Sequence, residues 1–400
     1  MEFSVFIQGY LPGPAAHDPE KEHEAFANEI ELAKCADRNN WKFIWLSEHH
    51  ALPEYSHLSA NEAMAGYLAA VTERIHVGSG IFNLSPRVNH PVRTAEKVAM
   101  LDHLTNRRFE FGTGRGAGSH EVATFNIHDP SSTRTEWDEV IVEVVRMWEQ
   151  KDYTFHGRHF DLDTPHNILP KPYAPGHPPM WVACGNPNTY KKAGSLGLGA
   201  LGFTFDSVHQ LAPRVAEYKE AIAGCTDPVG QFVNDNAMIT SGVRCAEDRQ
   251  RARDQVTRQA SGYIGTLVAL YHDSFPPSPL LSTRWPHPPR QLEASQIDPA
   301  IEAGFLLCGN PEEICAQLQP FVDAGIDQLG FGIPNGIAHE EALEMLEVFG
   351  QQVIPEFDKD PVISTDRFRS NAKPKYREYA VEPPPLETIW TRTSSRPTPN

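Results

Sequence analysis

The chain has 400 residues, 40% of them hydrophobic, with 35 basic and 52 acidic side chains and a net charge of −17. That balance argues against nucleic acid and against anionic membranes as partners. The length and apolar content allow one large α/β barrel or two ordinary domains. Six cysteines (Cys35, Cys184, Cys225, Cys245, Cys308 and Cys315) stand apart with no CxxC, the pattern of reduced thiols in a cytoplasmic protein. The chain enters a strand at once, without a leader pattern. No apolar run approaches the roughly 20 residues that span a bilayer.

Strand-like runs are predicted at 3–8, 43–46, 75–79, 109–112, 180–183, 200–205, 237–242 and 328–332. Helical periodicity lies between them, at 24–38, 60–71, 91–103, 136–149, 208–223 and 247–271, with further helices at 311–324 and 340–354. Strands alternating with helices favour a parallel sheet under helices. Eight such units fit a (β/α)8 TIM barrel better than an open sheet, and such a barrel gathers its chemistry at the carboxyl ends of its strands. Residues 1–358 form the expected barrel domain. Within it, 151–178 is rich in proline and histidine. The stretch 273–302 carries Pro276, Pro277, Pro279, Pro286, Pro288 and Pro289, which argue against a helix there and for a lid or insertion. Residues 359–400 have little periodicity and read as an extended or disordered tail, or an arm around a neighbour.

The second strand ends in Trp45-Leu46-Ser47-Glu48-His49-His50. An acid and two histidines at the end of a core strand are costly to place there unless they do chemistry. A histidine suits proton transfer because its unperturbed pKa lies near neutrality. Glu48, His49, His50 and His57 are also candidate metal ligands. Neighbours on an extended segment point opposite ways, however, and neither HExxH nor HxH is present, so no metal is expected.

Three glycine-bearing strand ends follow. Ile75-His76-Val77-Gly78-Ser79-Gly80-Ile81 could let a planar ligand approach the backbone, or could reflect tight barrel packing. Arg108-Phe109-Glu110-Phe111-Gly112-Thr113-Gly114-Arg115-Gly116-Ala117-Gly118 only nearly matches GxGxxG, because its sixth position is Ala117. What remains is a glycine loop with one cation, Arg115, suited to an anionic group. Cys184-Gly185-Asn186-Pro187-Asn188-Thr189 leads into a helix whose first N–H groups could hold phosphate or simply be capped. Two phosphate-competent loops on one barrel face favour a phosphorylated cofactor.

In order, these segments resemble the bacterial luciferase family of flavin-dependent monooxygenases, from Phe3 to about Phe357. The resemblance also rests on Asn89-His90-Pro91-Val92-Arg93-Thr94-Ala95-Glu96, Leu101-Asp102, Cys308-Gly309-Asn310-Pro311-Glu312-Glu313 and Ala324-Gly325-Ile326-Asp327-Gln328. Glu54-Tyr55-Ser56-His57 points to the limonene-monooxygenase-like subgroup. The resemblance implies a TIM barrel that receives reduced FMN from a separate flavin reductase. That flavin would react with O2 to a C4a-peroxide and oxygenate a small, largely apolar substrate. His49 matches the family's catalytic histidine, with Glu48 and His50 positioning it. Gly80 and Ile81 match the strained peptide beside the flavin ring, a candidate non-proline cis bond. Arg115, Gly185, Asn186, Asn188 and Thr189 match the phosphate positions. Family habit suggests a homodimer. Gly114 stands where bacterial luciferase has a reactive cysteine, and Cys184 and Gly185 where it has a glutamate and a serine, so light emission is not expected. The rival readings are an F420-dependent oxidoreductase of the same fold, a non-catalytic partner subunit of a heterodimer and a metal-dependent TIM-barrel hydrolase.

Overall fold

The predicted strands are largely apolar on both faces, so they need a barrel interior on one side and a helix on the other. A computed structural model supplies both. It describes residues 1–13, 15–116, 118–203, 206–258, 262, 263, 266, 292–334 and 336–376. The barrel strands are β1 (Glu2–Ile7), β2 (Phe43–Leu46), β3 (His76–Ser79), β4 (Phe109–Gly114), β5 (Met180–Ala183), β6 (Gly199–Gly202), β7 (Ala237–Cys245) and β8 (Gln328–Gly332). Each pairs in parallel with the next, and β8 pairs with β1, so these eight described strands close a barrel.

Side chains alternate between the two sides of the strand wall, as a period of two requires. Phe3, Val5, Ile7, Ile44 and Leu46 pack outward against the helices. Phe6, Phe43, Trp45, Trp181, Leu201 and Met238 fill the interior. Trp45 and Trp181 meet edge to face at 5.1 Å. Each buried indole finds an acceptor: Trp45 Nε1 donates to Gln328 Oε1 at 2.6 Å and Trp181 Nε1 to Glu110 Oε2 at 2.7 Å. Gly78 faces Trp45, where a Cβ would lie 2.4 Å from the ring.

Three segments differ from expectation. The insertion after the fourth barrel helix holds an antiparallel hairpin, Tyr153–His156 with Asp161–His166. The lid or insertion at 273–302 lies outside the described residues as far as 291. Its last part forms a helix, Ala294–Glu302, in spite of Pro299. Glu293 and Gln296 close a capping box at its start, and Ile297 is buried against Ala252, Val256 and Leu306. Those contacts outweigh one proline, while the proline-dense stretch lies upstream. A strand at Leu306–Gly309 then extends β7, pairing Arg244 with Cys308. The third difference is the tail. Residues 359–376 belong to the barrel, and a helix at Ser364–Ser370 covers its amino-terminal end. There Ser364 N donates to Glu2 Oε1 at 3.0 Å, and Thr365 Oγ1 donates to Glu110 Oε1 at 2.6 Å. Residues 377–400 and Phe205 lie outside the described set. No helix among the described residues is long and apolar enough to cross a membrane.

Candidate active site at the carboxyl ends of the strands

Beyond Leu46 the chain leaves the barrel wall, and Ser47 fixes the exit by donating its hydroxyl to Gln8 O at 2.9 Å. Glu48 then turns inward and is buried. Its Oε1 accepts from Asn83 N at 3.3 Å, Asn89 Nδ2 at 3.1 Å and His50 Nε2 at 3.0 Å. Burial pushes the Glu48 carboxyl above its usual range, against the hydrogen bond and charge of His50. Burial alone would lower the imidazole of His50, but the Glu48 carboxylate prevails and holds it above its ordinary value. Three donors converge on one carboxylate oxygen, which favours an ionised Glu48 paired with His50.

His49 points elsewhere, as alternation along an extended segment predicts. Its Nδ1 lies 3.0 Å from Glu121 Oε1, and its Nε2 lies 2.6 Å from the hydroxyl of Tyr263. The same Glu121 oxygen accepts from His50 N at 3.0 Å, so one carboxylate fixes both the ring of His49 and the backbone beside it. A carboxylate on Nδ1 sets the imidazole tautomer with Nε2 as acceptor. The Tyr263 ring stacks on Tyr55 at 4.5 Å and meets Phe6 and Tyr10 edge to face at 5.7 and 5.9 Å. Tyr10 Oη and Thr266 Oγ1 are 2.7 Å apart. His57 does not join this group, since its Nδ1 pairs with Glu22 Oε1 at 2.6 Å. No group of three or more histidine, cysteine or acidic side chains among the described residues could hold a metal ion.

After β3 the peptide between Gly80 and Ile81 is cis. A Cβ on Gly80 would lie 3.2 Å from Phe203 Cζ and 3.3 Å from Phe6 Cε2, so this backbone faces the aromatic end of the barrel. On β4, Gly114 backs onto Ile81: a Cβ there would lie 2.7 Å from Ile81 Cγ1. Gly112 has a plainer reason to be glycine, since a Cβ would fall 1.9 Å from Ser79 O on the neighbouring strand.

Register between β4 and β5 sets Thr113 opposite Val182, so Arg115 and the residues from Cys184 onward leave adjacent strand ends. Arg115 Nη1 donates to Thr133 Oγ1 at 3.3 Å. Burial and then the charge of Arg134 lower its guanidinium pKa, with Asp138 opposing. Asn186 caps the helix Pro187–Ser195, accepting from Thr189 N at 3.2 Å. Its side chain therefore does ordinary capping work. Gly185 is open: a Cβ would meet nothing within 4 Å. Asn188 is exposed and Thr189 half-buried on the first turn. A guanidinium and a helix N-terminus on adjacent strand ends are both groups that can hold an anion. Cys184 is buried and its thiol pushed far up by burial, which makes it inert.

The motif readings missed Glu121 and Tyr263. Glu121 follows the glycine loop on a short helix, Ser119–Ala123, where a single acid carries no periodic signal. Tyr263 reaches His49 across 214 residues of sequence, and no local pattern announces such a contact.

Residues 1–328 match the family model described as luciferase-like monooxygenase. The oxygenase component of the flavin-dependent trigonelline monooxygenase of Acinetobacter baylyi is 24% identical, over 90% of this chain and 97% of that one. Limonene 1,2-monooxygenase of Rhodococcus erythropolis is 25% identical, over 84% and 82%. The F420-dependent glucose-6-phosphate dehydrogenase of Amycolatopsis mediterranei is 24% identical, over 82% and 93%. A 31% identical protein of Sinorhizobium fredii, of uncharacterised function, is matched over 49% of its length. Among solved structures, the oxygenating constituent of 3,6-diketocamphane monooxygenase of Pseudomonas putida, in complex with FMN, superposes with a TM-score of 0.70 at 18% identity, over 89% of this chain and 98% of that one.

Proposed function

Because the chain belongs to the luciferase-like monooxygenase family, we propose that it is the oxygenase of a two-component system. It takes reduced FMN from a separate flavin reductase and uses O2 to oxygenate a small, largely apolar organic substrate. The observation that carries this reading is His49, held on both nitrogens at the aromatic end of the barrel, on the strand-end face that also bears the Arg115 cradle. A relative named as an oxygenase component supports the separate reductase.

The residues present fit FMN. Arg115 with Gly185, Asn186, Asn188 and Thr189 would hold its phosphate. The open space at Gly185 and the first turn of the following helix suit such a group. Gly80 and Ile81 would back its ring. Bound reduced FMN supplies the electrons that activate O2, which no side chain supplies alone. His49 drives the movement of a proton to the reacting oxygen, while Glu48 and His50 fix the strand end that carries it. The interior aromatics exclude water and favour an apolar substrate. The protein acts in the cytoplasm as a homodimer.

F420 in place of FMN is the second reading, favoured by the F420-dependent relative at similar identity. A non-catalytic partner subunit would bind flavin without turnover. The deciding experiment mixes anaerobic protein and reduced FMN with oxygenated buffer and follows the flavin spectrum. An oxygen-dependent phase that outlives its protein-free counterpart supports the oxygenase. Direct reoxidation, together with tight F420 binding, overturns it in favour of hydride transfer.

A further inference from the structure

In this structure neither nitrogen of His49 faces open space. Nδ1 is on Glu121 and Nε2 on the hydroxyl of Tyr263. Tyr263 itself is confined. Tyr55 lies along one face of its ring, and Phe6 and Tyr10 meet the ring edge to face. Phe6 in turn touches Phe203 at 5.0 Å, and those two rings flank Gly80. The phenol thus stands between the histidine and the aromatic floor where a planar cofactor would lie.

We propose that the Tyr263 hydroxyl, not the imidazole of His49, hands a proton to the oxygen of the bound reactant, and that His49 and Glu121 recharge it. This rests on reading His49 as the proton-handling group and holds for either cofactor. In the resting state the neutral imidazole keeps its proton on Nδ1, toward Glu121, and accepts the Tyr263 proton hydrogen bond at Nε2. A proton from solvent hydronium, which leaves as water, turns Nε2 into a donor to the Tyr263 oxygen. The Tyr263 O–H bond then breaks as a new O–H bond forms on the reactant, and the Nε2 proton passes to the tyrosine oxygen. The imidazole ends neutral. One proton has moved and no electrons have been transferred. Burial, helped by the charges of Glu121 and Glu29, holds the Tyr263 proton firmly against loss to solvent, and the hydrogen bonds of Tyr55 and Ser47 oppose it. That is a property of a relay member that gives up a proton only when another arrives.

Glu121 is a positioning residue here, and its role is separable from packing. The test compares Tyr263→Phe, Glu121→Gln and His49→Ala. In the protein without cofactor, 15N spectra of the His49 ring should show Nδ1 protonated and Nε2 accepting. Tyr263→Phe should move the Nε2 resonance, and Glu121→Gln should redistribute the tautomers. With reduced FMN and a substrate found by screening, Tyr263→Phe should leave FMN Kd and KM within a few-fold and lower kcat on the order of 100-fold, the usual scale of a lost proton donor. The double variant Glu121→Gln/Tyr263→Phe should be no slower than Tyr263→Phe alone. Unmoved ring resonances, or wild-type kcat in Tyr263→Phe, overturn the relay. If His49→Ala is inactive in that same comparison, the broader reading stands without it. Full turnover in His49→Ala removes both.

Discussion

Arg369 and Asp102 form a fully buried, two-pronged ion pair, with Nη1 and Nη2 each 2.7 Å from a different carboxylate oxygen. Asp102 lies on the helix Pro91–Leu104, and Arg369 on the helix that covers the amino-terminal end of the barrel. The pair helps tie residues beyond 359 to the domain, alongside the bonds of Ser364 to Glu2 and Thr365 to Glu110. The other Asp102 bond runs from Tyr173 N at 2.8 Å, and Arg369 also donates to Tyr173 O at 2.9 Å. Arg369→Leu leaves a buried carboxylate short of its cation and should cost about 3–5 kcal/mol. Replacing both partners by apolar residues should cost less than Arg369→Leu alone. Urea unfolding of the two variants checks this, and equal losses would show that the pair is not coupled.

The same end of the barrel should make stability fall on the alkaline side. His76 Nδ1 lies 2.8 Å from Glu110 Oε1, and its Nε2 lies 3.6 Å from Asp366 Oδ2. Burial alone would lower this histidine, but Asp366 and Glu110 raise it to about 9. An unfolded histidine titrates near ~6.5. The native state therefore holds the proton more tightly, and the contribution is complete below about 6.5 and lost as pH climbs through about 9. The loss should approach about 3 kcal/mol. His76→Gln should flatten the unfolding midpoint between those limits. A wild-type midpoint that stays level there would refute the ion-pair reading.

Strand positions were legible where buried parallel strands write continuous apolar runs: residues 43–46 and 180–183 are strands at the predicted bounds. The position of His49 and Arg115 at strand ends was legible because polar groups and glycine there break those runs. Contacts made across the whole fold were not. Arg369 meets Asp102 over 267 residues, and nothing local to 359–376 marks it as buried. Gly112 was grouped with a cofactor loop, yet its nearest constraint is the Ser79 carbonyl. Glycine needed for backbone packing and glycine needed for a ligand look alike in sequence.

Gly114 offers a test of that distinction. Its missing side chain makes room for Ile81, and a Cβ would press on Ile81 Cγ1 at 2.7 Å and Cδ1 at 2.8 Å. Both contacts are side-chain atoms next to the Gly80–Ile81 peptide, so Gly114→Ala should fold but displace that peptide. FMN affinity should drop at least several-fold, while the unfolding free energy from urea titration falls by about 1–3 kcal/mol, the usual scale of overpacking. Gly112→Ala, which meets backbone at 1.9 Å, should instead fail to give folded protein. Wild-type FMN affinity in Gly114→Ala would separate Ile81 from the flavin.

Arg115→Ala tests the phosphate cradle. The guanidinium is half-buried beside Thr133 and next to the strand end that opens the helix Pro187–Ser195. Removing a charged donor from a bound phosphate costs about 1.5–3 kcal/mol, which is roughly a 10- to 150-fold rise in FMN Kd. Riboflavin has the same ring and no phosphate, so its affinity should be unchanged in the variant. The ratio of the two affinities isolates the phosphate from any general loosening of the loop. If FMN and riboflavin weaken together, Arg115 supports the fold of the glycine loop, and the phosphate must sit elsewhere on the barrel face.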